Sequence, residues 1–180
     1  IIDILGRKRN NNPLIIGPAG SGKTAIVEAL ALRQVEGLLP GIEIWELNIS
    51  SMIGGTEYRG SLEKRIGDLI EFVEKNSDRI IIFIDEIHLI FSTGNETVVN
   101  MLKPMLSRGT FPLIGATTTA EFNKYIAKDP AMERRFTLVK IDEPKGEELF
   151  RIVTSAAKTL SQYHTVSIDS DDIVRSAITL

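Results

Sequence analysis

The 180-residue chain contains no cysteine, so disulfide bonds, thiolate catalysis and cysteine-ligated zinc sites are all excluded. It has no apolar run near the roughly 18–20 residues that a membrane-spanning helix needs, and no signal-peptide pattern. Neither sign of charge dominates, with 21 Lys and Arg against 24 Asp and Glu, which does not favour a protein that coats nucleic acid. These absences are compatible with a cytoplasmic protein that has no membrane partner. Because the chain begins at Ile1 instead of Met, we expect a piece of a longer protein.

Apolar strand-like runs alternate with amphipathic helical segments over most of the chain. The predicted strands are 14–16, 42–47, 80–84, 113–116 and 136–141, and the predicted helices are 24–35, 62–73 and two shorter ones that begin after 118 and 129. Residues 10–13 are expected to form only a turn into the first strand. Strands and helices at this spacing predict a doubly wound parallel α/β sheet.

The pattern changes after Pro144, where only helical stripes follow. We therefore predict an α/β nucleotide-binding subdomain over residues 1–143 and part of a helical small subdomain over residues 144–180.

The strongest motif lies between the first predicted strand and the first long helix. It fits the phosphate-loop pattern G-x-x-x-x-G-K-[ST] without exception, and this context is the one the motif requires. Backbone N–H groups of such a loop surround the phosphates of ATP at a helix N-terminus. Lys23 is expected to reach the β- and γ-phosphates, and the Thr24 hydroxyl to ligate Mg²⁺. The predicted nucleotide-binding residues of the loop are Gly17, Pro18, Ala19, Gly20, Ser21, Gly22, Lys23 and Thr24.

Two carboxylates follow the apolar run 80–84. Asp85 and Glu86 are therefore expected at the carboxyl edge of a buried strand, where open α/β sheets bind their ligands. Asp85 would complete the Mg²⁺ shell, and Glu86 would be the base that activates the attacking water. The pair predicts ATP hydrolysis and not ATP binding alone.

His88 extends this segment to Asp-Glu-Ile-His, which resembles the second motif of DExH helicases. A helicase core needs a second motor domain, for which the chain has no room. A metal role has little support because the only other histidine, His164, is distant in sequence. We expect His88 to be a packing or supporting residue.

Several further segments occur together: Asn11-Asn12-Pro13-Leu14, Tyr58-Arg59-Gly60, Phe83 to His88, Asn100 to Pro104 with Arg108-Gly109, Gly115 to Thr118, and Glu133 to Phe136. Their order and spacing resemble those of the first nucleotide-binding domain of Clp-class AAA+ unfoldases and disaggregases. The likeness covers nearly the whole chain and implies a P-loop NTPase fold of the AAA+ type.

The resemblance implies roles for three further catalytic residues. Arg134 and Arg135 match the arginine pair that reaches the γ-phosphate held by a neighbouring subunit. Thr118 falls on the sensor-1 position beside the γ-phosphate. The residues alone leave other roles open, because Thr118 also begins a capping-box pattern with Glu121, and either neighbouring threonine could take its place.

Tyr58 matches the pore-loop aromatic that grips unfolded polypeptide in this family. The sequence departs from the family at Glu57, where a basic residue is usual, and in residues 91–97, where the family's glycine-rich loop is longer. Glu57 affects the expected strength or charge preference of substrate gripping, and the shorter loop affects the expected secondary contact in the pore.

The resemblance also implies cofactors and partners. It implies ATP with Mg²⁺, a homo-hexameric ring, unfolded or aggregated polypeptide as substrate, and leaves a protease or co-chaperone open as a further partner. Nucleic acid is not expected, and the isolated chain is expected to hydrolyse ATP slowly. Two alternatives stay open: a nucleic-acid-directed AAA+ motor or loader, and a non-catalytic scaffold regulated by ATP.

Overall fold

The structure is a computed structural model that describes residues 1–35, 37, 39–54, 59–92, 96–166 and 171–179. The chain divides into two compact units, Ile1–Ile141 and Asp142–Leu180. The identity of residues 144–180 as a small subdomain stays a prediction.

The first unit is built on a five-stranded parallel sheet with the order β2-β3-β4-β1-β5. This arrangement confirms the predicted α/β class, since parallel neighbours require crossover connections between the strands. The strands are β1 Asn12–Ile16, β2 Glu43–Glu46, β3 Ile80–Ile84, β4 Leu113–Thr117 and β5 Phe136–Lys140.

The helices of the first unit precede, connect or lie beside these strands. They are α1 Ile2–Leu5, α2 Lys23–Val35, α3 Ile49–Gly54, α4 Arg59–Lys75, a 3-10 helix Ile87–Phe91, α5 Glu96–Arg108, α6 Thr119–Glu121, a π-helical turn Phe122–Ile126 and α7 Pro130–Glu133. The second unit contains α8 Gly146–His164 and α9 Asp171–Thr179, which pack on each other and place Arg175 over the Phe150 ring.

The sheet is covered on both faces. Every residue of β1, β3 and β4 is buried, as expected for inner strands of a parallel sheet. Alternate residues of β3 belong to different core clusters, because successive side chains of a strand point to opposite faces. One face packs on α4 and α5, and the other packs on α1 and α2.

Residues 10–13 are more than the turn that the sequence predicts, because Asn12 and Pro13 already belong to β1. The Asn12 side chain is fully buried and accepts a hydrogen bond from the Leu113 N–H at 3.2 Å. It also donates to the carbonyls of Leu106, at 3.4 Å, and Arg135, at 3.5 Å. A buried amide needs such partners, and through them Asn12 joins β1 to three other segments.

Candidate nucleotide-binding site

The phosphate loop occupies the turn from β1 into α2. Gly20 and Gly22 have φ angles of 75° and 85°, in the left-handed region that glycine adopts without a steric penalty. Gly17 is required for a different reason: a Cβ there would lie 2.4 Å from the carbonyl oxygen of Ile141. The loop therefore depends on glycine at three separate places, and its backbone is shaped as a phosphate cradle requires.

Lys23 begins α2 and is buried against the loop. Its Nζ donates hydrogen bonds to the carbonyl oxygens of Gly17, at 3.2 Å, and Pro18, at 2.6 Å. The Ser21 hydroxyl donates to the same Pro18 carbonyl at 2.9 Å. An ammonium group at a helix N-terminus, beside a glycine loop, fits a polyphosphate anion.

Thr24 and Asp85 lie together although they are far apart in the sequence. The Thr24 hydroxyl donates a hydrogen bond of 2.6 Å to Asp85 Oδ2, and the Glu86 N–H donates to Asp85 Oδ1 at 2.9 Å. A hydroxyl and a carboxylate in contact are the oxygen ligands that Mg²⁺ takes beside nucleotide phosphates, so the residues present fit that ion.

Glu86 is exposed and has a left-handed backbone, with φ 50° and ψ 39°. Such a conformation costs free energy in a residue that has a Cβ, and it recurs at functional sites where the surrounding fold enforces it. Here it joins the buried strand β3 to the 3-10 helix. The predicted base is therefore solvent-accessible and adjacent to the predicted Mg²⁺ ligand.

Thr118 follows β4 at the same edge of the sheet. In the register of the sheet, Thr117 pairs with Ile16, which immediately precedes the phosphate loop. The Thr118 hydroxyl donates to Glu121 Oε2 at 2.8 Å and accepts from the Glu121 N–H at 3.2 Å. The predicted capping box is thus formed, and it holds the Thr118 side chain in a defined orientation at the carboxyl edge of the sheet.

The Glu121 carboxylate is ionised at neutral pH. Burial is the largest single influence and raises its pKa, but the opposing effects together hold the pKa below the ordinary value of 4.5. Those effects are, in order, hydrogen bonds from the side chain and the backbone of Thr118, electrostatic attraction to the neighbouring His88, and a hydrogen bond from Thr117.

The two arginines follow the short helix α7, which begins as the Asp-Pro pair predicts. Asp129 caps it by accepting from the N–H groups of Ala131 and Met132, and Pro130 occupies the first turn. Lys103 also pairs with Asp129 at 2.7 Å. The turn that presents the arginines is thereby attached to α5.

Arg134 and Arg135 differ in their surroundings, which the sequence does not reveal. Arg135 Nε donates to the Lys103 carbonyl at 2.9 Å, and its Nη1 donates to the Ala131 carbonyl. Arg134 is exposed, and no hydrogen bond or ion pair involves its side chain in the part of the chain that the structure describes. Arg135 is therefore bonded within its own chain, whereas the Arg134 side chain is exposed and unbonded among the described residues.

An open surface cleft of about 920 Å³ surrounds this pair. Two further arginines, Arg9 and Arg108, line it, and Arg108 also lies 3.5 Å from Glu74. Among the described residues that line the cleft, none is acidic. The cleft therefore fits an anionic group.

Tyr58 and Glu57 lie outside the described residues, as do residues 93–95 of the shortened loop. The pore-loop expectations stay predictions.

A comparison with protein-family models matches residues 13–141 to the family described as ATPase family associated with various cellular activities (AAA). The match spans β1 to β5 together with the phosphate loop, the two carboxylates and the arginine pair. The chain belongs to the AAA family of ATPases.

Individual proteins similar to this AAA domain are chaperones. The chain is 42% identical to the chaperone protein ClpB of Mycoplasma genitalium over 184 residues, which cover 97% of the chain and 26% of that protein. Two solved structures of S. cerevisiae Hsp104 are also similar. An Hsp104–ADP complex has a TM-score of 0.83 at 35% identity, and covers 94% of this chain and 24% of that one. An Hsp104–casein complex in an extended conformation has a TM-score of 0.81 at 34% identity, and the match covers 92% of this chain and 29% of the Hsp104 chain.

These likenesses confirm the Clp-class resemblance and the AAA+ P-loop fold. Because the chain spans about a quarter of the length of its curated relatives, the substrates and partners of the whole protein are matters for proposal. No helix within the described residues has the length and apolarity to cross a membrane.

Proposed function

We propose that this AAA domain binds Mg·ATP and hydrolyses it. The observation that carries the proposal is the 2.6 Å hydrogen bond between Thr24 and Asp85, which brings the ends of two separate motifs to one point beside Lys23. Lys23 and the loop N–H groups bind the β- and γ-phosphates. Mg²⁺, when bound, neutralises charge on those phosphates.

Glu86 is the residue that we assign to proton abstraction from the attacking water. Its exposure gives water access, and its position next to Asp85 supports a role beside the predicted Mg²⁺ ligand. Thr118 is assigned the polar contact with the γ-phosphate, since β4 brings it to the edge of the sheet where the loop begins.

Arg134 is proposed to complete the site of a neighbouring copy. The Arg134 guanidinium has no bonding partner among the described residues and lies at a cleft that fits an anion. Both observations support a role for Arg134 at the nucleotide site of a second subunit. Stabilising the transition state from a second subunit makes hydrolysis depend on assembly. A homo-hexameric ring is the assembly that we propose from the Clp-class likeness.

The proposed substrate is unfolded or aggregated polypeptide, threaded through the ring by Tyr58, in the cytoplasm. The chaperone relatives and the Hsp104–casein complex support this proposal over a nucleic-acid motor. A protease or a co-chaperone is proposed as a further partner of the same ring.

The hydrolysis proposal is tested with Glu86→Gln in the assembled protein. This variant should bind a fluorescent ATP analogue as the wild type does, while its steady-state turnover falls by at least about a hundredfold. Glu28→Gln, at an exposed position on α2, is the matched control and should leave turnover unchanged. Normal turnover in Glu86→Gln would remove the general-base assignment.

The threading proposal is tested with Tyr58→Ala. The variant should retain ATP turnover and lose unfolding of a tagged model substrate, followed by substrate fluorescence. Unfolding at the wild-type rate would contradict the pore-loop assignment.

A further inference from the structure

His88 is a buried histidine that the proposed ATP chemistry leaves without a role. It lies in the 3-10 helix that directly follows Glu86, and only 7% of the residue is exposed. Its ring stacks on Tyr125, with centroids 5.8 Å apart and an interplanar angle of 23°. The sequence predicts packing for this residue, and the stacking agrees with that prediction, but the polar contacts of the ring go further.

One ring nitrogen of His88 has two polar neighbours on other elements. Nδ1 lies 3.1 Å from the Thr117 hydroxyl oxygen and 3.2 Å from Glu121 Oε2. Because the Thr117 hydroxyl donates its own hydrogen to Glu121 Oε2 at 3.3 Å, it can only accept from the ring, so Nδ1 carries a hydrogen. The His88 Nδ1–H group therefore donates to the Thr117 hydroxyl oxygen, and the ring also lies within ion-pair distance of the Glu121 carboxylate.

The same carboxylate oxygen holds Thr118. Glu121 Oε2 accepts from the Thr118 hydroxyl at 2.8 Å, from the Thr118 N–H at 3.3 Å and from the Thr117 hydroxyl at 3.3 Å. One oxygen atom thus connects the ring of His88 with the turn that presents Thr118. Polar groups in a buried network of this kind restrict one another's orientation.

The connection also reaches Glu86. His88 is two residues beyond it, and the intervening Ile87 is 1% exposed and part of the core under the sheet. The 3-10 helix is therefore anchored by Ile87 on one side and by the His88–Thr117 hydrogen bond on the other. Moving His88 would move the turn that carries Glu86 as well as the carboxylate that orients Thr118.

We propose that His88 is a positioning residue of the ATPase site, because its Nδ1–H group joins the turn of Glu86 to the turn of Thr118 through Thr117 and Glu121. The inference rests on the proposed function, since Glu86 and Thr118 have catalytic roles only if the domain hydrolyses ATP. Groups that hold a catalytic residue in place change turnover more than substrate binding, because small misplacements raise the barrier of the chemical step.

The test compares His88→Leu with His88→Asn in the assembled protein. Leucine fills much of the ring's volume and has no donor, whereas asparagine offers an N–H group near the position of Nδ1. In His88→Leu, kcat for ATP should fall by about tenfold while KM stays within about twofold of the wild type. His88→Asn should recover kcat to within about threefold of the wild type.

Two results would overturn the proposal. One is an unchanged kcat in a folded His88→Leu protein, and the other is an equal loss of kcat in the leucine and asparagine variants. If His88→Leu does not fold, Glu121→Gln serves instead, because an uncharged amide oxygen accepts more weakly from the donors of Thr117 and Thr118 and removes the charge beside His88. It should show the same loss of kcat at near-constant KM, and a normal kcat there would also overturn the proposal.

Glu86→Gln measured in parallel separates this inference from the function on which it rests. A Glu86→Gln protein without turnover, beside a His88→Leu protein with normal turnover, rejects only the positioning role. A Glu86→Gln protein that turns over normally rejects the proposed chemistry and the inference together.

Discussion

Removing the side chains of Arg134 and Arg135 one at a time should affect two different properties, hydrolysis in one case and stability in the other. Arg135→Ala deletes the hydrogen bonds to the carbonyls of Lys103 and Ala131, and so removes one of the two links between the turn after α7 and α5. Arg134→Ala deletes an exposed side chain without a partner in the described chain. We therefore expect Arg135→Ala to destabilise the fold and Arg134→Ala to impair hydrolysis.

The magnitudes follow from these contacts. A hydrogen bond from a charged donor is worth roughly 1.5–3 kcal/mol when buried, and less at a half-exposed residue such as Arg135. Two such bonds correspond to about 2 kcal/mol of unfolding free energy, or a urea midpoint lower by about 1 M at a typical slope of about 2 kcal/mol per M. A surface truncation such as Arg134→Ala should stay within about 0.5 kcal/mol. Loss of an arginine supplied in trans should lower kcat by about a thousandfold.

The assays are urea unfolding followed by circular dichroism, and steady-state ATP turnover of the assembled protein. Arg33→Ala, exposed on α2, is the control for removal of a surface arginine and should change neither quantity. Arg135→Lys should remain destabilised, because an ammonium lacks the planar fork that reaches two carbonyls. A stable Arg135→Ala protein, or full turnover in Arg134→Ala, would refute the division of roles between the two arginines.

Three further perturbations test other parts of the first unit. Gly17→Ala should abolish nucleotide binding, measured by fluorescence titration, because its Cβ would meet the backbone oxygen of Ile141 at 2.4 Å; wild-type affinity would show that the loop can shift freely. Asp129→Asn keeps the helix cap and removes the charge. The Lys103 hydrogen bond, with further N–H donors, lowers the Asp129 pKa below its ordinary 3.8, so the stabilisation is present above that pH and lost as pH falls through the lowered pKa. The stability gap between wild type and variant in urea should therefore shrink from neutral pH to about pH 3, and a constant gap would contradict the ion-pair account. Specific ATPase activity should rise with protein concentration, and a constant value down to the monomer would contradict completion of the site in trans.

Local signals in the sequence predict much of the fold. The run 80–84 is a strand because five consecutive apolar residues suit a position buried on both faces of a sheet. The Thr118 capping box and the Asp129-Pro130 helix start are formed as predicted, because both depend on residues within one turn of each other. No helix is predicted over residues 96–108, where α5 forms, because Pro104 inside that segment disfavours a helix locally, whereas buried residues along one side stabilise it.

The sequence by itself determined the class of fold, the phosphate loop and the identity of the carboxylates that face it, because those depend on short patterns of residue type. Tertiary structure decided what each side chain contacts. The strand order brings Asp85 within 2.6 Å of Thr24, makes the buried Asn12 a junction between strands and helices, and separates a bonded Arg135 from an exposed Arg134. It also places His88 against Glu121. These contacts join residues that are distant along the chain, so they depend on how the sheet and helices pack and not on the local sequence.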